Sequence, residues 1–291
     1  MPSVDANGIE LFYESVGDPS HPPLLLVSGL GMQLVEWGEE VIERFAAEGF
    51  RVIAYDHRDA GLSTHMVAAG MPDLMALLSG GEAGLAYGLS DMALDAACLL
   101  DALGIRACHV VGVSMGGMVA QQLAIDQPDR VLSLCSIMST TGAPGVGAPS
   151  EEAAAALLRP ALRTRQEAMG QAVETWKIIG SPHFPIDEDR ERALAGAAWD
   201  RSNDRSGVAR QLAAILTAPD RTAALGALRV PTLVIHGGLD PLVDVSGGRA
   251  TAAAVPGARL LVVDEMGHHA PPALWDRLVA EIVANATAAA P

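Results

Sequence analysis

Short runs rich in Val, Ile and Leu recur along the chain at residues 24–28, 52–56, 109–113, 131–138, 232–236 and 259–263, each flanked by Gly, Pro or Asp. Helix-like segments lie between them, at 41–48, 92–103, 118–126, 247–254 and 275–286. A run that is apolar at every position has no face to offer to water. Its alternation with helices therefore predicts an α/β protein with a mostly parallel sheet covered on both sides. Residues 9–15 read as an additional strand ahead of this repeat, at an antiparallel edge.

The alternation breaks between about residues 142 and 221. A loop rich in Gly and Pro (142–150) leads into helix-prone segments at 151–158, 166–179, 188–199 and 208–217, and no strand is apparent. A structureless loop of that length is uncommon in a compact domain, so the stretch predicts a helical insertion. The expected organisation is a core built from 1–141 and 222–291, with a helical cap over 142–221.

Composition removes several function classes. Half of the 291 residues are hydrophobic and 19% are charged, as in a globular protein. The formal net charge is −16 with no basic cluster, which excludes a nucleic-acid partner. The longest apolar stretches are too short for a membrane span. Residues 1–20 are polar and show no signal-peptide pattern, so a cytoplasmic location is expected. Cys98, Cys108 and Cys135 have neither metal-ligand spacing nor a disulfide framework, and no His/Asp/Glu cluster suggests a metal. No cofactor is expected.

Gly112-Val113-Ser114-Met115-Gly116 fits the G-x-S-x-G pattern, preceded by a strand candidate and followed by a helix candidate. A serine on a tight strand-to-helix turn needs neighbours with almost no side chain, and the helix start directs N–H groups at developing negative charge. Ser114 is therefore the candidate nucleophile. It needs a base, and the base needs an orienting acid, in the chain order Ser, acid, His. Asp240, after the strand candidate at 232–236 and a Gly turn, is the leading acid, with Asp244 and then Asp264 as competitors. The loop after the last strand holds two adjacent histidines. Chemistry alone does not separate them; His268, directly after Gly267, is preferred to His269. The oxyanion donors are expected to be the backbone N–H groups of Met115 and Leu30, the latter in Ser28-Gly29-Leu30-Gly31.

These motifs, together with Tyr55-Asp56-His57-Arg58-Asp59-Ala60-Gly61-Leu62-Ser63 and residues 231–240, resemble the α/β-hydrolase superfamily over nearly the whole chain. Within it the chain resembles bacterial serine esterases related to aclacinomycin methylesterase. The resemblance implies a triad of Ser114, Asp240 and His268 with oxyanion donors at Leu30 and Met115. Many relatives carry His-Gly where Ser28-Gly29 stands here, which bears on loop rigidity rather than on the donor itself. Relatives that are dehalogenases or epoxide hydrolases have an aspartate at the elbow, so Ser114 argues against both.

Met32, Met138, Trp176 and Phe184 are candidate pocket residues, since thioethers and rings suit an adaptable apolar site. The expected function is hydrolysis of a small-molecule carboxylic ester. A lactonase, a C–C bond hydrolase or a perhydrolase would use the same triad, and a non-catalytic ligand-binding member of the fold is a further alternative.

Overall fold

The apolar runs become strands of one eight-stranded sheet. The computed structural model describes residues 2–81, 84–159, 162–204 and 206–288. The strands are β1 (Ser3–Ala6), β2 (Ile9–Val16), β3 (Pro23–Val27), β4 (Arg51–Tyr55), β5 (Cys108–Val113), β6 (Val131–Ile137), β7 (Thr232–Gly237) and β8 (Arg259–Val263), in the order β1-β2-β4-β3-β5-β6-β7-β8. From β4 to β8 every pairing is parallel, while β1 and β2 form an antiparallel hairpin whose second strand pairs antiparallel with β4.

The helices are α1 (Glu39–Ala47), α2 (Leu74–Leu78), α3 (Leu89–Ala102), α4 (Met115–Asp126), α5 (Glu151–Leu157), α6 (Arg165–Ile179), α7 (Glu188–Arg201), α8 (Ser206–Leu216), α9 (Thr222–Leu225), α10 (Val245–Ala254) and α11 (Trp275–Thr287). Successive strand residues point to opposite faces, and the core divides accordingly. Leu25, Val27, Ile53 and Val110 pack under α3 and α4, whereas Leu24, Leu26, Val52 and Val111 pack under α1 and α11. This two-sided burial explains why the central strands read as unbroken apolar runs. Helices α5–α8 occupy the excursion between β6 and β7.

One local difference from the sequence reading is informative. The helix after the elbow was expected to begin near residue 118, yet α4 starts at Met115 and runs through Gly116 and Gly117. Glycine weakens a helix interior by up to about 1 kcal/mol relative to alanine. Here a Cβ on Gly116 would collide with the Val27 and Ser28 carbonyls, and one on Gly117 would press on Ser139. Close approach of helix to sheet outweighs propensity.

No helix among the described residues is long and apolar enough to cross a membrane. The loops following β3, β4, β5, β7 and β8 carry Ser28, Asp56, Ser114, Asp240 and His268, so the candidate groups share the carboxyl ends of the strands. That is where ligands bind in open α/β sheets.

Candidate active site

Ser114 joins β5 to α4 with φ 55° and ψ −120°, in the left-handed region that a non-glycine residue rarely enters. Such a conformation costs about 1–3 kcal/mol and persists only where its surroundings enforce it. Ser114 N–H donates to the Ile137 carbonyl at 2.8 Å, and Gly117 N–H donates to the Ser114 carbonyl at 2.9 Å. A side chain at residue 112 would strike the Gly116 carbonyl, so both elbow glycines are required by contact.

Asp240, buried in the turn after β7, accepts at Oδ1 from the Leu242 and Val243 N–H groups, both at 2.9 Å. Its Oδ2 lies 2.7 Å from His268 Nδ1. With the carboxylate accepting at Nδ1–H, Nε2 is the basic nitrogen of His268. His236 Nε2 donates to the Val243 carbonyl at 2.7 Å and lies 3.5 Å from Asp240 Oδ2. Burial lowers the His236 pKa, which keeps this ring neutral beside the carboxylate. The competing acids are elsewhere: Asp244 caps α10 by accepting from Ser246 N–H, and Asp264 is exposed.

The adjacent histidines diverge. His269 stacks in a tilted arrangement on Trp176 at 4.7 Å between ring centroids and lies 3.8 Å from Glu191 Oε1. Burial, with the Arg190 and His268 charges, pushes its pKa down to about 4.

The loop after β3 passes directly beside the serine. A Cβ built on Gly29 would sit 3.5 Å from Ser114 Cβ and 3.0 Å from Met32 Sδ. Leu30 N–H has no acceptor among the described residues. Met115 N–H, at the first position of α4, lacks an intrahelical acceptor by its place in the helix. Ser28, standing where many relatives have histidine, accepts from Trp37 Nε1 at 2.9 Å, and its carbonyl lies 3.1 Å from His57 Nε2.

A model of the α/β-hydrolase fold family matches residues 22–272. The chain belongs to the α/β-hydrolase family. It is 32% identical to rhodomycin D methylesterase DauP of Streptomyces sp. (strain C5), over 97% of this chain and 96% of that protein. The identity is also 32% to rhodomycin D methylesterase DnrP of Streptomyces peucetius, with the same coverages. In fold it is similar to the enol-lactonase from Burkholderia xenovorans LB400, with TM-score 0.76, 24% identity, and 98% and 100% of the two chains covered.

In this α/β-hydrolase the insertion supplies contacts that sequence reasoning missed. Ile179, at the end of α6, accepts at its carbonyl from His268 N–H at 2.7 Å. Ser181 Oγ accepts from Gly267 N–H at 2.9 Å and donates to the His269 carbonyl at 2.6 Å. A Cβ on Gly267 would collide with the Gly180 carbonyl, so this loop needs glycine in order to lie against the end of α6. On the other side, Arg201 of α7 pairs with Asp56 at 2.8 Å and Arg210 of α8 pairs with Asp59 at 2.6 Å. Arg58 turns away from the elbow into a buried pair with Asp95 at 2.6 Å. The one available signal was polar residues on an apolar stripe: Gly207, Arg210, Gln211 and Ala214 share the buried face of α8.

Two of the four pocket candidates, Trp176 and Phe184, line one recess. Met32 stands at Gly29 beside Ser114, and Met138 is buried in the core with φ 48° at the end of β6. The recess of Trp176 and Phe184, about 430 Å³, is completed by Lys177, Gly180, Ser181, Pro182, Ile186 and Glu188, a lining that contains none of Ser114, Asp240 and His268.

Proposed function

We propose that this protein hydrolyses carboxylic esters through an acyl-enzyme on Ser114. The observation that carries the reading is the 2.7 Å hydrogen bond between His268 and Asp240, on loops at the same sheet end as the strained Ser114 elbow. In this course His268 Nε2 takes the Ser114 Oγ proton as Oγ attacks the ester carbonyl. Asp240 holds the ring's orientation and stabilises the imidazolium. Leu30 N–H and Met115 N–H hold the oxyanion, each such donor being worth about 10²–10³ in turnover. The imidazolium protonates the departing alkoxide, and water activated by His268 then releases the acid. Residues 142–221 act as a cap over this site. The two rhodomycin D methylesterase relatives support a methyl ester as the substrate.

Turnover of p-nitrophenyl acetate and butyrate, with fluorophosphonate labelling mapped to Ser114, tests the reading. Absence of both turnover and labelling would rule the reading out. Asp240→Asn is expected to lower kcat by about 10⁴-fold, because the amide selects the wrong ring tautomer. Retained activity would place the acid elsewhere. Gly267→Ala must push the histidine loop off the Gly180 carbonyl, and a displacement near 1 Å costs about 100-fold. Steady-state kinetics on the folded variant checks this, and wild-type kcat would show that the loop tolerates the shift.

A further inference from the structure

The insertion touches the catalytic loops through their backbones, and on both sides of Ser114. Gln211 of α8, fully buried, accepts at Oε1 from Gly31 N–H at 2.8 Å and donates from Nε2 to the Arg58 carbonyl at 2.9 Å. Gly31 directly follows Leu30, the expected oxyanion donor, so one side-chain amide joins the oxyanion loop to the turn after β4. Ser181, also buried, bridges Gly267 N–H and the His269 carbonyl and thereby spans His268.

Helix α8 is itself held firmly. Arg210 meets both oxygens of Asp59, from Nε at 2.8 Å and Nη2 at 2.6 Å, with both side chains buried. A Cβ on Gly207 would strike the Asp59 backbone, so the helix lies directly on that turn. Lifting α8 away would break the Asp59–Arg210 ion pair and the Gln211 hydrogen bond to Gly31 N–H.

We propose that the cap is a fixed positioning element of the catalytic centre, with Gln211 setting the oxyanion loop and Ser181 setting the base loop. Both are positioning residues, since neither has to touch the ester. The inference rests on the ester-hydrolase reading and adds to it that α8 and the end of α6 stay seated through turnover. A cap that swung open as a unit would have to release both loops in every cycle.

The test measures kcat and KM for p-nitrophenyl butyrate, the affinity of an aryl trifluoromethyl ketone and the melting temperature, in wild type, Gln211→Met, Gln211→Glu and Ser181→Ala. The ketone's adduct oxygen occupies the oxyanion position. Gln211→Met is expected to lower kcat by about 10- to 100-fold, short of the full loss of a donor, with KM within about twofold. Ketone affinity should fall by the same factor. Gln211→Glu keeps an acceptor for Gly31 N–H and should recover part of kcat. Ser181→Ala is expected to lower kcat by about tenfold through a displaced base loop. As a one-atom deletion, it keeps the inference testable if the α8 variants fold poorly. Unchanged kcat in the folded variants, or a loss confined to KM, overturns the inference. Fluorophosphonate labelling separates the two levels: a wild type that neither labels nor turns over ends the hydrolase reading and this inference together. A labelling wild type with undiminished variants ends only the inference.

Discussion

Ser114→Ala is expected to lower kcat for p-nitrophenyl acetate by roughly 10⁶-fold while leaving the melting temperature within a few degrees of wild type. Alanine removes only the hydroxyl, and the backbone contacts that enforce φ 55°, from Ser114 N–H to Ile137 and from Gly117 N–H to Ser114, do not involve it. His268→Ala should lose about as much, and the double variant little more, because a nucleophile and its base act as one unit. His269→Ala should cost far less. Among the described residues its ring has no carboxylate at hydrogen-bond distance to orient it as His268 has, and with its pKa pushed down to about 4 it is a poor proton acceptor near neutrality. Steady-state kinetics on the single variants decides the matter: a larger loss for His269→Ala would move the base by one residue.

The largest effect on stability is expected from Arg210→Met. The guanidinium pairs with Asp59 in a buried position, and removing one member of such a pair costs about 3–5 kcal/mol because the remaining charge stays buried. At about 2–4 °C per kcal/mol, the melting temperature should fall by roughly 6–20 °C. The deficit should also depend on pH. Burial by itself raises the Asp59 carboxyl pKa. In the wild type, Arg210, Tyr87 and the Met66 N–H outweigh it and hold the pKa below the ordinary 3.8. The wild-type contribution is therefore complete above that value and is lost as the pH falls through the lowered folded pKa. Without Arg210, the Tyr87 hydroxyl and the Met66 N–H are left to oppose burial, so the folded pKa rises relative to wild type and the variant's deficit grows as pH increases. Urea denaturation at pH 4 and pH 7 should show the larger gap between wild type and variant at pH 7. A gap below about 1 kcal/mol, equal at both values, would show that water reaches Asp59 once the arginine is gone.

Much of the candidate site was legible because its requirements are local. The elbow needs small residues on either side of Ser114, and Gly112 and Gly116 are visible as a spacing; the structure shows the carbonyls that forbid anything larger. Asp240 was readable for a similar reason, since a Gly turn after a buried strand is a sequence pattern. The choice between His268 and His269 was not. Neighbouring residues carry the same local signal and differ only in what each faces: Asp240 for His268, Trp176 and Glu191 for His269. The start of α4 was misplaced because the helix-weakening effect of Gly116 and Gly117 is local, while the contact that requires them lies on β3 and beyond β6.

The sequence by itself determined the α/β alternation and the glycine-flanked turn at Ser114, and it singled out a candidate acid and candidate histidines after it, because strand periodicity and turn chemistry are properties of a few consecutive residues. Only the tertiary structure decided which carboxylate meets which ring, and that the loops carrying Gly31 and Gly267 are held by Gln211 and Ser181. Those contacts join residues 180 and 86 positions apart, Gly31 with Gln211 and Gly267 with Ser181. Each uses a backbone N–H, which every residue but proline carries and which therefore leaves no mark of its own in the sequence.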